Sequence, residues 1–139
     1  MTAVVVDASI VSRWFWPPPD QASLAIRSDY EASRIEAHAP TLLFLELLNV
    51  AGRRMRWGEE ALMTFSDTLR RSRFVLGDPP LPAIATWVAR DLTAYDAAYV
   101  ALAEQLGVPL VTWDRAVLDV ARGIAVGPDN LGSSYESPR

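Results

Sequence analysis

The segment LTAYDAAYVALAEQLGVPLVTWD, residues 92–114, decides the fold. Thr93-Ala94-Tyr95-Asp96 has the form of a capping box, which opens a helix expected over 94–106 and ended by Gly107. From Ala97 to Ala103 the only polar group is the Tyr99 hydroxyl, so this helix reads as buried all round. PLVT (109–112) follows as a short apolar strand, and Asp114 comes directly after it. A buried helix feeding a wholly apolar strand is the grammar of a parallel sheet covered on both faces.

The rest of the chain agrees. AVVV (3–6) is a β-branched run ending at Asp7, and reads as a buried strand. SIVSRWFW forms a short helix stopped by the prolines at 17–19. Asp20 caps a helix expected over 21–36. A third helix is expected from Thr41 to about Arg56, and a fourth over 59–72. FVL (74–76) and IAV (124–126) read as strands; 83–91 and 114–122 read as helices. The expectation is one α/β domain over 1–127, with a loosely ordered tail over 128–139.

Composition narrows the chemistry. There is no cysteine, which excludes disulfides, zinc–thiolate sites and thiol nucleophiles. No stretch approaches the roughly 18 apolar residues of a membrane span. MTAVVVDAS lacks a basic n-region, so it does not read as a signal peptide, and a cytoplasmic location is expected. The net charge is −4, against the basic balance of a general nucleic-acid coat protein. Arginines nevertheless concentrate between Arg53 and Arg73, either as solvated helix faces or as a phosphate-contacting strip.

All 13 basic side chains are arginine. Without lysine there is no phosphate-binding P-loop, and the GxGxxG turn of a dinucleotide fold is absent too. Receiver domains and phosphatases of the haloacid dehalogenase type rely on a lysine that this chain lacks. The single histidine, His38, offers no nucleophile–base pair.

Four acids remain. Glu46 stands inside TLLFLELLNV (41–50), where an unpartnered carboxylate is costly. On a regular helix, taking Leu42 as zero, Glu46, Asn49 and Arg53 fall at about 40°, 340° and 20°, a single polar stripe. That stripe either satisfies itself through Glu46–Arg53 or Glu46–Asn49 pairing, or faces a polar cleft. Asp7, Asp96 and Asp114 each read singly as helix caps. Together, Asp7 and Asp114 lie where parallel strands end, at the edge where ligand sites assemble. Clustered carboxylates stay ionised only beside a cation. Oxygen-only ligation points to Mg2+ or Mn2+ rather than zinc, and such ions activate water for attack on a phosphodiester.

VVVDAS, APTLLFLELLNV and LTAYDAAYVALAEQLGVPLVTWD, in that order, resemble the PIN-domain family, most closely the small VapC-type toxins. The resemblance runs from Val4 to about Val126 and implies a three-layer α/β/α fold with a parallel sheet of four or five strands. It implies an Mg2+-dependent endoribonuclease whose four acids map onto Asp7, Glu46, Asp96 and Asp114. Asp7 and Asp96 are expected as direct ligands, with Glu46 or Asp114 orienting the attacking water. Ser9, Asn49 and Thr112 match positions that orient the carboxylates, and Arg53 is placed for an RNA phosphate. Some members carry a further acid just after the fourth; here Arg115, Ala116 and Val117 hold those positions, and Asp119 is the next acid. The resemblance further implies an RNA substrate, a homodimer and a cognate antitoxin, with DNA reached only through that antitoxin. The alternative is a catalytically silent PIN-like module that binds RNA or protein. A flap-cutting DNA nuclease shares the carboxylate logic but needs helical additions for which 139 residues leave little room.

Overall fold

A computed structural model describes residues 1–131. Five strands form one all-parallel sheet in the order β3-β2-β1-β4-β5. They are β1 (Thr2–Val6), β2 (Ile35–Ala39), β3 (Val75–Leu76), β4 (Leu110–Val111) and β5 (Ala125–Val126). The helices are α1 (Ala8–Phe15), α2 (Gln21–Glu31), α3 (Leu42–Asn49), α4 (Glu59–Arg70), α5 (Leu81–Val88), α6 (Ala94–Leu106) and α7 (Arg115–Val120). The chain steps outward from β1 through β2 to β3, then returns past β1 to β4 and β5. Right-handed crossovers therefore put α1–α4 on one face and α5–α7 on the other. Packing agrees, with α1 against α2 and α3, α3 against α4, and α5 against α6.

β1 is the centre because Val4, Val5 and Val6 are fully buried and β-branched. Beside it, α6 buries every residue from Ala97 to Ala103, as its apolar run requires. Thr93 accepts from the Asp96 amide to open α6, and Gly107 closes it at φ 68°, a left-handed cap that suits glycine.

Three expectations change. The helix expected over 21–36 ends at Glu31, and Ile35–Ala39 is instead β2, hydrogen-bonded beside β1. Its sequence IEAHA alternates, with Ile35, Ala37 and Ala39 buried and Glu36 paired to His38 at 2.7 Å. The third helix is α-helical only to Asn49; Val50–Arg54 form a π-helical turn, with the Met55 amide bonded to the Val50 carbonyl. Order also extends past 127: Pro128–Asn130 make a 3-10 turn and Leu131 is 2% exposed within the core. The remainder of the expected tail, 132–139, lies outside the described residues.

Among the described residues no helix is long and apolar enough to cross a membrane. The aromatic run Trp14-Phe15-Trp16 is mostly core: Trp14 and Trp16 are buried, with Phe15 at the margin. Trp57 packs edge-on to Trp16 and Phe65.

Candidate active site

The order in which strands are added reverses between β1 and β4, which are direct parallel neighbours with Val6 opposite Val111. The crevice beyond that pair is where an open parallel sheet has room for a ligand. Asp7 leaves β1 at this point, and Asp114 lies three residues beyond β4.

Asp7 is 7% exposed and held from several sides. Its Oδ1 accepts from the Ser9 amide at 3.1 Å and from the Ser9 hydroxyl at 2.6 Å. Its Oδ2 accepts from the Thr112 hydroxyl. Thr112 Oγ1 also accepts from the Asp114 amide at 2.9 Å, so one buried hydroxyl links the first acid to the last. Ser9 Oγ in turn accepts from the Trp113 amide at 2.9 Å. The Trp113 indole donates to Ser23 Oγ at 3.0 Å, which fixes this ring as part of the scaffold. Burial pushes the Asp7 carboxyl up to about 6, against the lowering pull of its hydrogen bonds, and the Asp96 charge adds to the rise.

Glu46 sits half-buried on α3. Neither Asn49 nor Arg53 pairs with it; its Oε1 accepts from the Tyr99 hydroxyl on α6 at 2.6 Å. Burial raises its pKa, the Tyr99 bond opposes that, and the Asp96 charge adds to it. The Tyr99 hydroxyl is pushed far upward by burial and by the Glu46 charge, so it stays protonated and donates. Asp96 is raised by burial and then by the Asp114 charge, with Thr93 opposing. Asp114 caps α7, its Oδ1 accepting from the Val117 amide at 3.0 Å.

The caps expected at Asp7 and Asp114 are therefore real, while Thr93 rather than Asp96 caps α6, and Asp7, Glu46 and Asp114 each interact with Asp96. The coupling runs Asp7–Asp96, Glu46–Asp96 and Asp96–Asp114, with Asp96 at the hub. Of the residues expected to orient them, Ser9 and Thr112 bond to Asp7. Asn49 is exposed and lines a cavity of about 430 Å³ beside Glu46, with Leu42, Leu45 and Tyr95. Arg53 is exposed on the π-helical turn. The i→i+5 bonding of that turn carries it off the stripe that a regular helix would give. Asp119 is exposed on α7 and does not join the coupled set. Tyr99 is the residue that sequence reasoning passed over. Its signal was the single hydroxyl in an apolar run, one helical turn after Asp96.

Chemically this is an oxygen-only donor set with mutual repulsion, which suits a hard divalent cation. Among the described residues no three acidic or imidazole groups form a ready-made cage. A divalent cation that keeps several of its waters needs only one or two of these carboxylates.

A three-layer parallel α/β domain with acids gathered at its switch point is thus defined by fold and site together. The chain belongs to the PIN domain family, whose model matches residues 4–123. The curated Exonuclease VapC9 of Pyrobaculum aerophilum is 48% identical over 50 residues, 35% of this chain and 38% of that protein. The chain thus spans well under half the length of that relative in the match. The crystal structure of PAE2754 from Pyrobaculum aerophilum aligns at TM-score 0.68 and 29% identity, over 94% of this chain and 92% of that one. FitAcB from Neisseria gonorrhoeae shares the fold at TM-score 0.64 and 18% identity, over 90% of this chain and 97% of that one.

Proposed function

We propose that this protein is a metal-dependent endoribonuclease and the toxin of a toxin–antitoxin pair. The observation that carries the reading is the placement of Asp7 and Asp114, joined through the Thr112 hydroxyl, at the β1–β4 switch point of a PIN domain. The relative named as a VapC exonuclease supports nuclease chemistry.

In this reading Asp7 and Asp96 hold Mg2+, or Mn2+ in its place, with Glu46 and Asp114 completing the site directly or through water. The bound cation supplies an acidified water and neutralises charge on the phosphoryl oxygens. Ser9 and Thr112 keep the Asp7 carboxylate turned toward the crevice. Glu46, with Oε1 engaged by Tyr99, has Oε2 free to orient the attacking water and accept its proton as the P–O bond to the leaving nucleotide breaks. Arg53, exposed on the π-helical turn, would meet a substrate phosphate.

An acidic crevice invites an inhibitor that inserts a basic side chain, the property expected of the cognate antitoxin. Leu45 and Tyr95, 65% and 67% exposed beside Glu46, give a partner apolar surface, whether antitoxin or second subunit of a homodimer. DNA would be met only through the antitoxin. The setting is the cytoplasm, where the RNA is.

Incubation of cellular RNA with the purified protein and Mg2+ or Mn2+ tests the reading. Discrete fragments should appear with wild type and vanish with Asp96→Asn or EDTA. RNA binding without cleavage under any of these conditions would instead favour the silent binding module.

A further inference from the structure

A second cavity, of about 380 Å³, lies between α1 and the π-helical turn. Ser12, Arg13, Trp16, Val50, Arg54 and Met55 are among the residues lining it. Its charged and hydroxyl side chains are those of Arg13, Arg54 and Ser12, with no carboxylate in the lining. Arg54 is exposed and forms no ion pair among the described residues. Arg13 has one long contact to Asp20, at 3.4 Å, which leaves most of its N–H groups available.

Trp16 contributes to the wall. It is 7% exposed, and its Nε1 is buried with no hydrogen-bond acceptor. The two arginines ask for a negative acceptor, beside the apolar Val50 and Met55.

Both walls lead back to the acidic site. Asp7 caps α1, and Arg13 lies six residues on. Arg54 lies eight residues beyond Glu46 in the continuous α3–π segment. At 1.5 Å per residue, Arg13 and Arg54 lie roughly 9–12 Å along the helical segments from Asp7 and Glu46. A strand whose scissile phosphodiester sits among the carboxylates has further phosphates to place, and they need cations.

We propose that this cavity holds a backbone phosphate of the substrate strand, a short step from the bond that is cut. The inference rests on the nuclease reading. Arg54 and Arg13 supply charge and paired donors, while the Ser12 hydroxyl orients the phosphate.

The test uses the intact protein in EDTA, where the strand is not cut. The Trp16 indole N–H resonance, assigned through Trp16→Phe, is followed during titration with inorganic phosphate and with a short single-stranded oligoribonucleotide. It should move and saturate in both. Arg54→Gln and Arg13→Gln should each weaken RNA binding about 3–10-fold and lower the slope of log K against log salt by about 0.7, the share of one phosphate contact. Arg90→Gln, which removes a guanidinium stacked 4.5 Å over Trp87, should change neither. Unshifted remaining indole resonances certify that each variant is folded.

A silent Trp16 resonance, or Arg54 and Arg13 variants no weaker than Arg90→Gln, overturns the subsite even if the protein cuts RNA normally. A response to phosphate without RNA binding makes the cavity a free-anion site and overturns its assignment to the strand. Loss of RNA cleavage and RNA binding together, by contrast, removes the nuclease reading itself.

Discussion

The Tyr99 hydroxyl donates to Glu46 Oε1 over 2.6 Å and ties α6 to the middle of α3. This bond resolves how a carboxylate is tolerated inside TLLFLELLNV, and it leaves the second Glu46 oxygen for chemistry. Tyr99→Phe keeps the ring and removes the bond. Cleavage should fall about 10–100-fold, the usual penalty for losing a group that orients a site carboxylate. The cost in stability should be about 1–2 kcal/mol. Rates measured well below both melting transitions separate the two effects, and an unchanged rate would make Tyr99 purely structural.

Asp7 sets a pH dependence in the metal-free protein. Its folded pKa is raised from 3.8 to about 6, so the folded state holds the proton more tightly than the unfolded chain. The stability this contributes is complete below about pH 4 and lost as pH rises through 6, roughly 3 kcal/mol in all. Asp7→Asn carries no such charge. Denaturant midpoints in EDTA should favour the variant over wild type increasingly from pH 4 to pH 7. Parallel profiles would contradict the burial of an ionisable Asp7.

Thr112 is fully buried and serves two acids with one hydroxyl. Thr112→Val preserves shape but leaves the Asp114 amide and Asp7 Oδ2 each short of a partner. A loss of about 1–3 kcal/mol is expected, with activity lower than in Ser9→Ala. Thermal melts and cleavage rates of both variants check the order. A neutral Thr112→Val would show that the hydroxyl bridge carries no weight.

Leu131 tests where the folded unit ends. Its side chain is in the core although it lies past the boundary expected at 127. Leu131→Ala should cost about 2–5 kcal/mol, as for other buried leucines. A change within about 0.5 kcal/mol would restore the shorter domain.

How far the fold and site could be read from the sequence depended on local signal strength. VVV and the buried run of α6 are unmistakable, and Asp7, Asp96 and Asp114 follow from the ends of those elements. β2 escaped because IEAHA is short, alanine-rich and half polar; only pairing with β1 makes it a strand. The stripe of Glu46, Asn49 and Arg53 assumed a regular helix, and the π-helical turn after Asn49 breaks it. Tyr99 was visible as a hydroxyl, yet its meeting with Glu46 joins residues 53 apart in sequence. The Trp16–Arg54 cavity likewise depends on two distant segments and has no local signature.

The central claim is that the four coupled acids bind a divalent cation at the sheet's carboxyl edge. Titration with Mn2+ followed by electron paramagnetic resonance measures that directly, with wild type, Asp96→Asn and Arg90→Gln compared at one pH. Saturable binding in wild type and Arg90→Gln, weakened at least 10-fold in Asp96→Asn, is the expected result. Equal Mn2+ binding by Asp96→Asn and wild type, or none by either, would contradict it.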